Sequence, residues 1–184
     1  IEPLKPLEMH PATSVLHYGQ AIFEGLKAYK NEQGDANIFR LRDNLSRLNK
    51  SAVRMMMPQI DIEAMVGHLS EFVTMQKDWI PREDQGSMYI RPFMISSDST
   101  LRAIASKGYK FMAIACPVGF YYNKSLSILL EKKYRRASKG GVGYAKAAGN
   151  YAASFYPSEE AKNLGYDQVL WTDITNEFAL EELG

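Results

Sequence analysis

From Gly25 to Leu41 apolar and polar positions alternate, break off, and resume. GLKAY (25–29) and NIFRL (37–41) flank the turn-rich KNEQGDA (30–36). Alternation with period two predicts strands, and Gly34 at the tip of the polar run predicts a hairpin. The period then lengthens. Leu45, Leu48, Ala52 and Met55 or Met56 recur at helical spacing, with Asp43 or Asn44 as the predicted cap and Pro58 as the stop. A second helix is predicted from Asp61 to about Asp78, because Ile62, Met65, Val66, Leu69, Phe72 and Val73 fall on one face. The methionines of these helices read as core packing, since no Cys or His stands near them to make a ligand set.

Two long strands follow, SMYIRPFMIS (87–96) and YKFMAIACPV (109–118), then the hinge-like GFYYNKS and a predicted strand LSILLEKKY (126–134). Beyond a glycine-rich run, 151–164 reads as a helix that Gly165 ends, QVLWTD (168–173) as a strand, and FALEELG as the start of one more. The pattern predicts an α/β chain of two units: a small domain at 1–119, a connector at 120–125, and the first part of a larger domain at 126–184. A chain that stops in mid-sheet is expected to be incomplete.

Composition narrows the function classes. Over 184 residues, 46% are hydrophobic and 23% charged, with a formal net charge of +1. That is the profile of an ordinary folded domain, without the basic footprint of a nucleic-acid binder or of a protein drawn to an anionic membrane. The apolar stretch 111–122 is too short to span a bilayer, and the opening IEPLKPLEMH lacks the pattern of a signal peptide. One cysteine, Cys116, excludes an internal disulfide and suits a reducing compartment, so the cytoplasm is expected. His10, His17 and His68 stand at no metal-ligand spacing, and no metal site is expected. His17 has no nucleophile motif beside it and reads as structural.

The chemistry concentrates in GGVGYAKAAGNYA (140–152), where Lys146 stands among glycines and alanines. The run is neither a dinucleotide fingerprint nor a Walker A loop, because no Ser or Thr follows the lysine. Small neighbours admit close approach, either to a planar cofactor or simply within a loop. Arg91, between Ile90 and Pro92 in a strand, suits a phosphate or an edge ion pair. Tyr151 offers a phenol or an aromatic core residue. Glu181 and Glu182 lie in an otherwise apolar strand whose alternation sends one of them inward, where a carboxylate needs a partner. Together a lysine, an anion-binding arginine, a phenol and an inward acid match what pyridoxal phosphate (PLP) requires.

The motifs LHYGQAIFEGLKAY (16–29), SMYIRPF (87–93), PVGFYY (117–122), YRRASKGGVGYAKAAGNYAAS (134–154), GYDQVLW (165–171) and EELG (181–184) resemble, in order and spacing, the branched-chain amino-acid aminotransferases of the fold-type IV PLP enzymes. The resemblance implies that Lys146 carries the cofactor and transfers protons, Arg91 binds its phosphate, Tyr151 its phenolic oxygen and Glu182 its pyridine nitrogen. Tyr18, Phe23 and Tyr121 would line the substrate pocket. It further implies transamination of leucine, isoleucine or valine with 2-oxoglutarate, in a homodimer at least. The alternatives are a fragment of such an enzyme without catalysis, or a relative such as a D-amino-acid aminotransferase or aminodeoxychorismate lyase.

Overall fold

In a computed structural model, which describes all residues except Glu83, Tyr121 and 176–178, the chain builds two sheets. The first is centred on β4 (Ser87–Ser96), which pairs along its whole length with antiparallel β5 (Tyr109–Val118). Two short strands share its other edge. β1 (Ala21–Phe23) pairs with 93–95 and β2 (Leu26–Lys30) with 88–90. β3 (Ala36–Ile38) closes the predicted hairpin against β2, with Gly34 at φ +83° in the turn. That left-handed conformation is why the turn carries glycine.

Before the sheet lies one short helical turn, α1 (Val15–Tyr18). Behind it pack α2 (Leu41–Arg54) and α3 (Ile62–Met75). Leu26, Ala28, Met88 and Ile90 of the sheet meet Leu41, Leu45, Leu69 and Val73 of the helices in one core. Ile22 and Met94 meet Leu48, Ala52 and Met57 in a second. Asp61 caps α3, its carboxylate accepting from the Ala64 N–H at 3.1 Å. The start of α2 differs from expectation. The helix begins at Leu41, after Arg40 in the left-handed region, so Asp43 and Asn44 lie inside its first turn. There Asp43 pairs with Arg40 Nε at 2.7 Å, and Asn44 Nδ2 donates to the Arg40 carbonyl.

The second sheet is β6 (Ile128–Leu130), parallel to β7 (Gln168–Thr172), with antiparallel β8 (Leu180–Leu183) on the far side. The parallel pair needs a crossover, supplied by α4 (Ala148–Ala152) and α5 (Phe155–Asn163). Ala161 of α5 packs on Val169 and Trp171. Three expectations change here. β6 is shorter than 126–134 because the buried Glu131 carboxylate accepts the Lys133 and Tyr134 N–H groups at 2.6 and 2.9 Å and turns the chain away. The single helix 151–164 is two, since Pro157 is tolerated only in a first turn and Ser154 Oγ donates to the Tyr151 carbonyl at the end of α4. Neither Glu181 nor Glu182 is buried: among the described residues β8 pairs on one edge only, with β7, and all four of its residues are exposed.

Candidate active site

Small residues in the glycine-rich run let backbone pack on backbone. A Cβ at Gly143 would lie 2.3 Å from the Ala137 Cβ. Asn150 Nδ2 donates to the Val142 and Ala145 carbonyls, at 3.0 and 2.8 Å, gathering the loop at the start of α4. Arg54 of α2 reaches the Gly140 and Gly141 carbonyls. Between two buried alanines, Ala145 and Ala147, the Lys146 backbone is docked on the first sheet and its helix. Its N–H donates to Ser51 Oγ of α2 at 2.9 Å, its carbonyl accepts the Phe23 N–H at 3.1 Å, and Ala147 bridges Ile22. The alanines flanking the lysine are therefore explained by contact with β1 and α2.

The Lys146 side chain is half-buried, and Nζ donates to Tyr151 Oη at 2.7 Å. The Phe23 ring lies beneath both, 5.0 Å from Nζ and 4.9 Å from the Tyr151 ring. Lys146, Tyr151 and Glu182 line one cavity of about 100 Å³ together with Arg47, Arg136 and Tyr144. Clefts of about 620 and 1090 Å³ adjoin it, the first sharing Arg136, Tyr144 and Glu182, the second Arg47 and Tyr144. Glu182 is held by Arg136 Nη2 at 3.0 Å.

Besides Arg136, the cavity carries Arg47. Its Nε and Nη2 each donate to the fully buried Glu24 carboxylate at 2.7 Å. That bond raises the Arg47 pKa above its ordinary value against the opposing effect of burial, and the Tyr151 and Glu182 charges add to it. Arg91 does not line the cavity. Its guanidinium lies 4.2 Å from the Phe23 ring centre and donates from Nε and Nη2 to Tyr89 Oη at 3.1 and 2.6 Å. Gly25 makes room for that phenol, since a Cβ there would lie 2.6 Å from Tyr89 Oη.

Of the sequence-predicted residues, Lys146, Tyr151, Phe23 and Glu182 thus come together, and Arg91 adjoins them through Phe23. Tyr18 is engaged elsewhere, its hydroxyl donating to the Leu101 carbonyl. Tyr121 lies outside the described residues. His17 Nε2 is 2.9 Å from the Pro11 carbonyl oxygen, which fits a structural part. Among the described residues no group of three metal-ligating side chains occurs, and no helix is long and apolar enough to cross a membrane. Arg47, Glu24, Ser51 and Arg136 were not among the predicted site residues. The acid in the apolar run AIFEGL was the available signal, because a carboxylate there faces inward and requires a cation.

The donor set suits PLP: an amine beside a phenol, a guanidinium and a carboxylate on one cavity, with aromatic rings to bound a planar heterocycle.

Residues 21–180 match the family model described as amino-transferase class IV. Branched-chain-amino-acid transaminase 1 of Bacillus subtilis (strain 168) is 48% identical over all of this chain and 53% of its own length. A probable branched-chain-amino-acid aminotransferase of Staphylococcus epidermidis (strain RP62A) is 46% identical over all of this chain and 52% of its own. The chain spans about half the length of the curated relatives it matches. Among solved structures, a branched-chain aminotransferase from Thermoproteus uzoniensis with norvaline is 26% identical. It has a TM-score of 0.77 over 96% of this chain and 57% of that one. A second, a branched-chain amino acid aminotransferase complexed with N-(5'-phosphopyridoxyl)-L-glutamate, gives 0.78 at 26% identity, over 96% and 55%.

Proposed function

We propose, from the premise that this chain belongs to the class IV aminotransferases, that its Lys146 cavity serves PLP-dependent transamination of branched-chain L-amino acids with 2-oxoglutarate. The observation that carries the proposal is the 2.7 Å contact of Lys146 Nζ with Tyr151 Oη on a cavity shared with Arg47 and Glu182. When bound, PLP supplies an electron sink for the pair released as the substrate's α C–H bond breaks.

The chain's own residues divide the remaining work. Lys146 Nζ is the amine for covalent attachment, and it would take the proton from the substrate's α-carbon and deliver it to the cofactor's aldehyde-derived carbon, the relocation that amino transfer requires. Tyr151 Oη holds that amine in place and donates to the cofactor's phenolic oxygen. Glu182 holds the pyridine nitrogen in its protonated form, with Arg136 fixing the carboxylate. We assign the phosphate to Arg47 in place of Arg91, because Arg47 lines the cavity and Arg136, the other arginine there, is engaged by Glu182. Arg91 has no carboxylate partner among the described residues, and beside Phe23 it is suited to a substrate carboxylate. The Phe23 ring gives a branched aliphatic side chain an apolar wall. The free Cys116 suits a reducing compartment, and we place the protein in the cytoplasm, as a homodimer.

The test is chemical. Borohydride reduction of the full-length protein with PLP, followed by peptide mapping, is expected to place the label on Lys146. Lys146→Ala is expected to abolish amino transfer from leucine to 2-oxoglutarate. A label on Lys139, Lys162 or any other lysine overturns the reading.

A further inference from the structure

Among the described residues two acids are buried, Glu24 and Glu131. Glu131 accepts the N–H groups of the turn that follows it, at Lys133 and Tyr134, and is accounted for there. Glu24 is different. It falls in the row Ile22, Glu24, Leu26, Ala28, where every other member is an apolar core residue at 2% exposure or less. An apolar side chain would fill that place at no desolvation cost, and a buried ion pair is weak as a source of stability. What the charge supplies instead is geometry.

Both Glu24 oxygens are engaged by one edge of the Arg47 fork, Nε on Oε1 and Nη2 on Oε2, each at 2.7 Å. Asn44 Oδ1 takes a further bond from Nη2 at 3.3 Å. A guanidinium is planar, so fixing that edge directs Nη1 away from the carboxylate, and among the described residues Nη1 donates no hydrogen bond. Arg47 lines the Lys146 cavity, with its side chain half-exposed. One helical turn along α2, Ser51 holds the Lys146 backbone N–H at 2.9 Å. The same helix thus carries the cation and the anchor of the lysine, and Glu24 sets the cation's direction from the sheet below.

We infer that Glu24 is a positioning residue, clamping Arg47 so that its Nη1 edge is presented to the phosphate of a ligand in the Lys146 cavity. This rests on the reading of that cavity as a PLP site.

The experiment compares PLP with pyridoxal, which lacks the phosphate, by equilibrium titration of the full-length protein. Glu24→Gln is nearly isosteric but sets an NH₂ against an arginine donor. It is expected to weaken PLP about tenfold and to leave pyridoxal affinity unchanged. Arg47→Lys is expected to cost PLP a similar factor, and the double variant no more than the worse single one, because the two act as a unit. Equal losses for PLP and pyridoxal mark a merely structural acid and overturn the inference, as do unchanged PLP affinity or additive losses. If Glu24→Gln does not fold, Glu24→Asp serves: it keeps the charge and draws it back by one methylene. Glu24→Asp is expected to lose discrimination between the two ligands, and retained discrimination overturns the inference. A native protein that binds no PLP and takes no label on Lys146 refutes the cofactor reading itself, an outcome distinct from any of these.

Discussion

Lys146 Nζ and Tyr151 Oη, 2.7 Å apart, are brought together by α4, whose turn carries the phenol back over the amine while the lysine backbone stays fixed on β1 and α2. Substituting Tyr151 by Phe keeps the ring against Phe23 and removes only the oxygen. The melting temperature should hold, and the rate of amino transfer should fall about tenfold, the loss expected for one bond to a charged group, with an altered absorption spectrum of bound PLP. Steady-state kinetics and the spectrum check this, and an unchanged pair of measurements would remove Tyr151 from the site.

The two arginines separate by what each variant loses. Arg47→Ala would strand the Glu24 charge in the core at about 3–5 kcal/mol, so Arg47→Lys is the informative change. It should raise the Kd for PLP about tenfold. Arg91→Ala should leave that Kd alone and raise KM for the amino acid. The reverse ranking would return the phosphate to Arg91.

Ser51 is buried in α2 and accepts the Lys146 N–H. In Ser51→Ala that N–H loses its acceptor, at a cost of about 1–2 kcal/mol. Denaturant unfolding should show this loss, together with a fall in the fraction of Lys146 labelled under limiting borohydride. A variant as stable as the parent would show that water replaces the hydroxyl.

The long elements were legible in the sequence because their periods are unbroken. α3 with its Asp61 cap, and the strands 87–96 and 109–118, lie where the pattern put them. What failed was decided by contacts the pattern cannot carry. Arg40 entered the left-handed region and started α2 early, and Glu131 bent the chain out of β6. In the candidate site, Lys146 and Tyr151 are near neighbours in sequence, and the sequence pointed to both. Arg47 sits in the polar face of RDNLSRLNK, where an arginine looks like any solvated one. Its significance appears only when the hairpin folds Glu24 against it, 23 residues away.

Asp167 fastens the segment before β6 to the start of β7. Lys124 pairs with it at 2.7 Å, and the Ser127 N–H and hydroxyl donate to it. These contacts, the Lys124 bond first, hold its carboxyl down from the usual 3.8 to about 2. A depressed acid stabilises the fold only while it is charged. Its contribution should be complete above the unfolded value and fade as pH falls from about 4 towards 2. The difference in unfolding midpoint between the parent and Asp167→Asn should therefore be constant at neutral pH and shrink across that window. A difference that persists unchanged in acid would assign the effect to packing.

Because the Lys146 carbonyl takes the Phe23 amide proton and Ser51 takes the Lys146 amide proton, one short stretch of backbone shields both from solvent. Neither can exchange with deuterium unless that stretch lifts away, so the two amides, far apart in the chain, form a single opening unit and should share one opening free energy. Lys146 keeps time with β1, and not with the sheet its own sequence goes on to build.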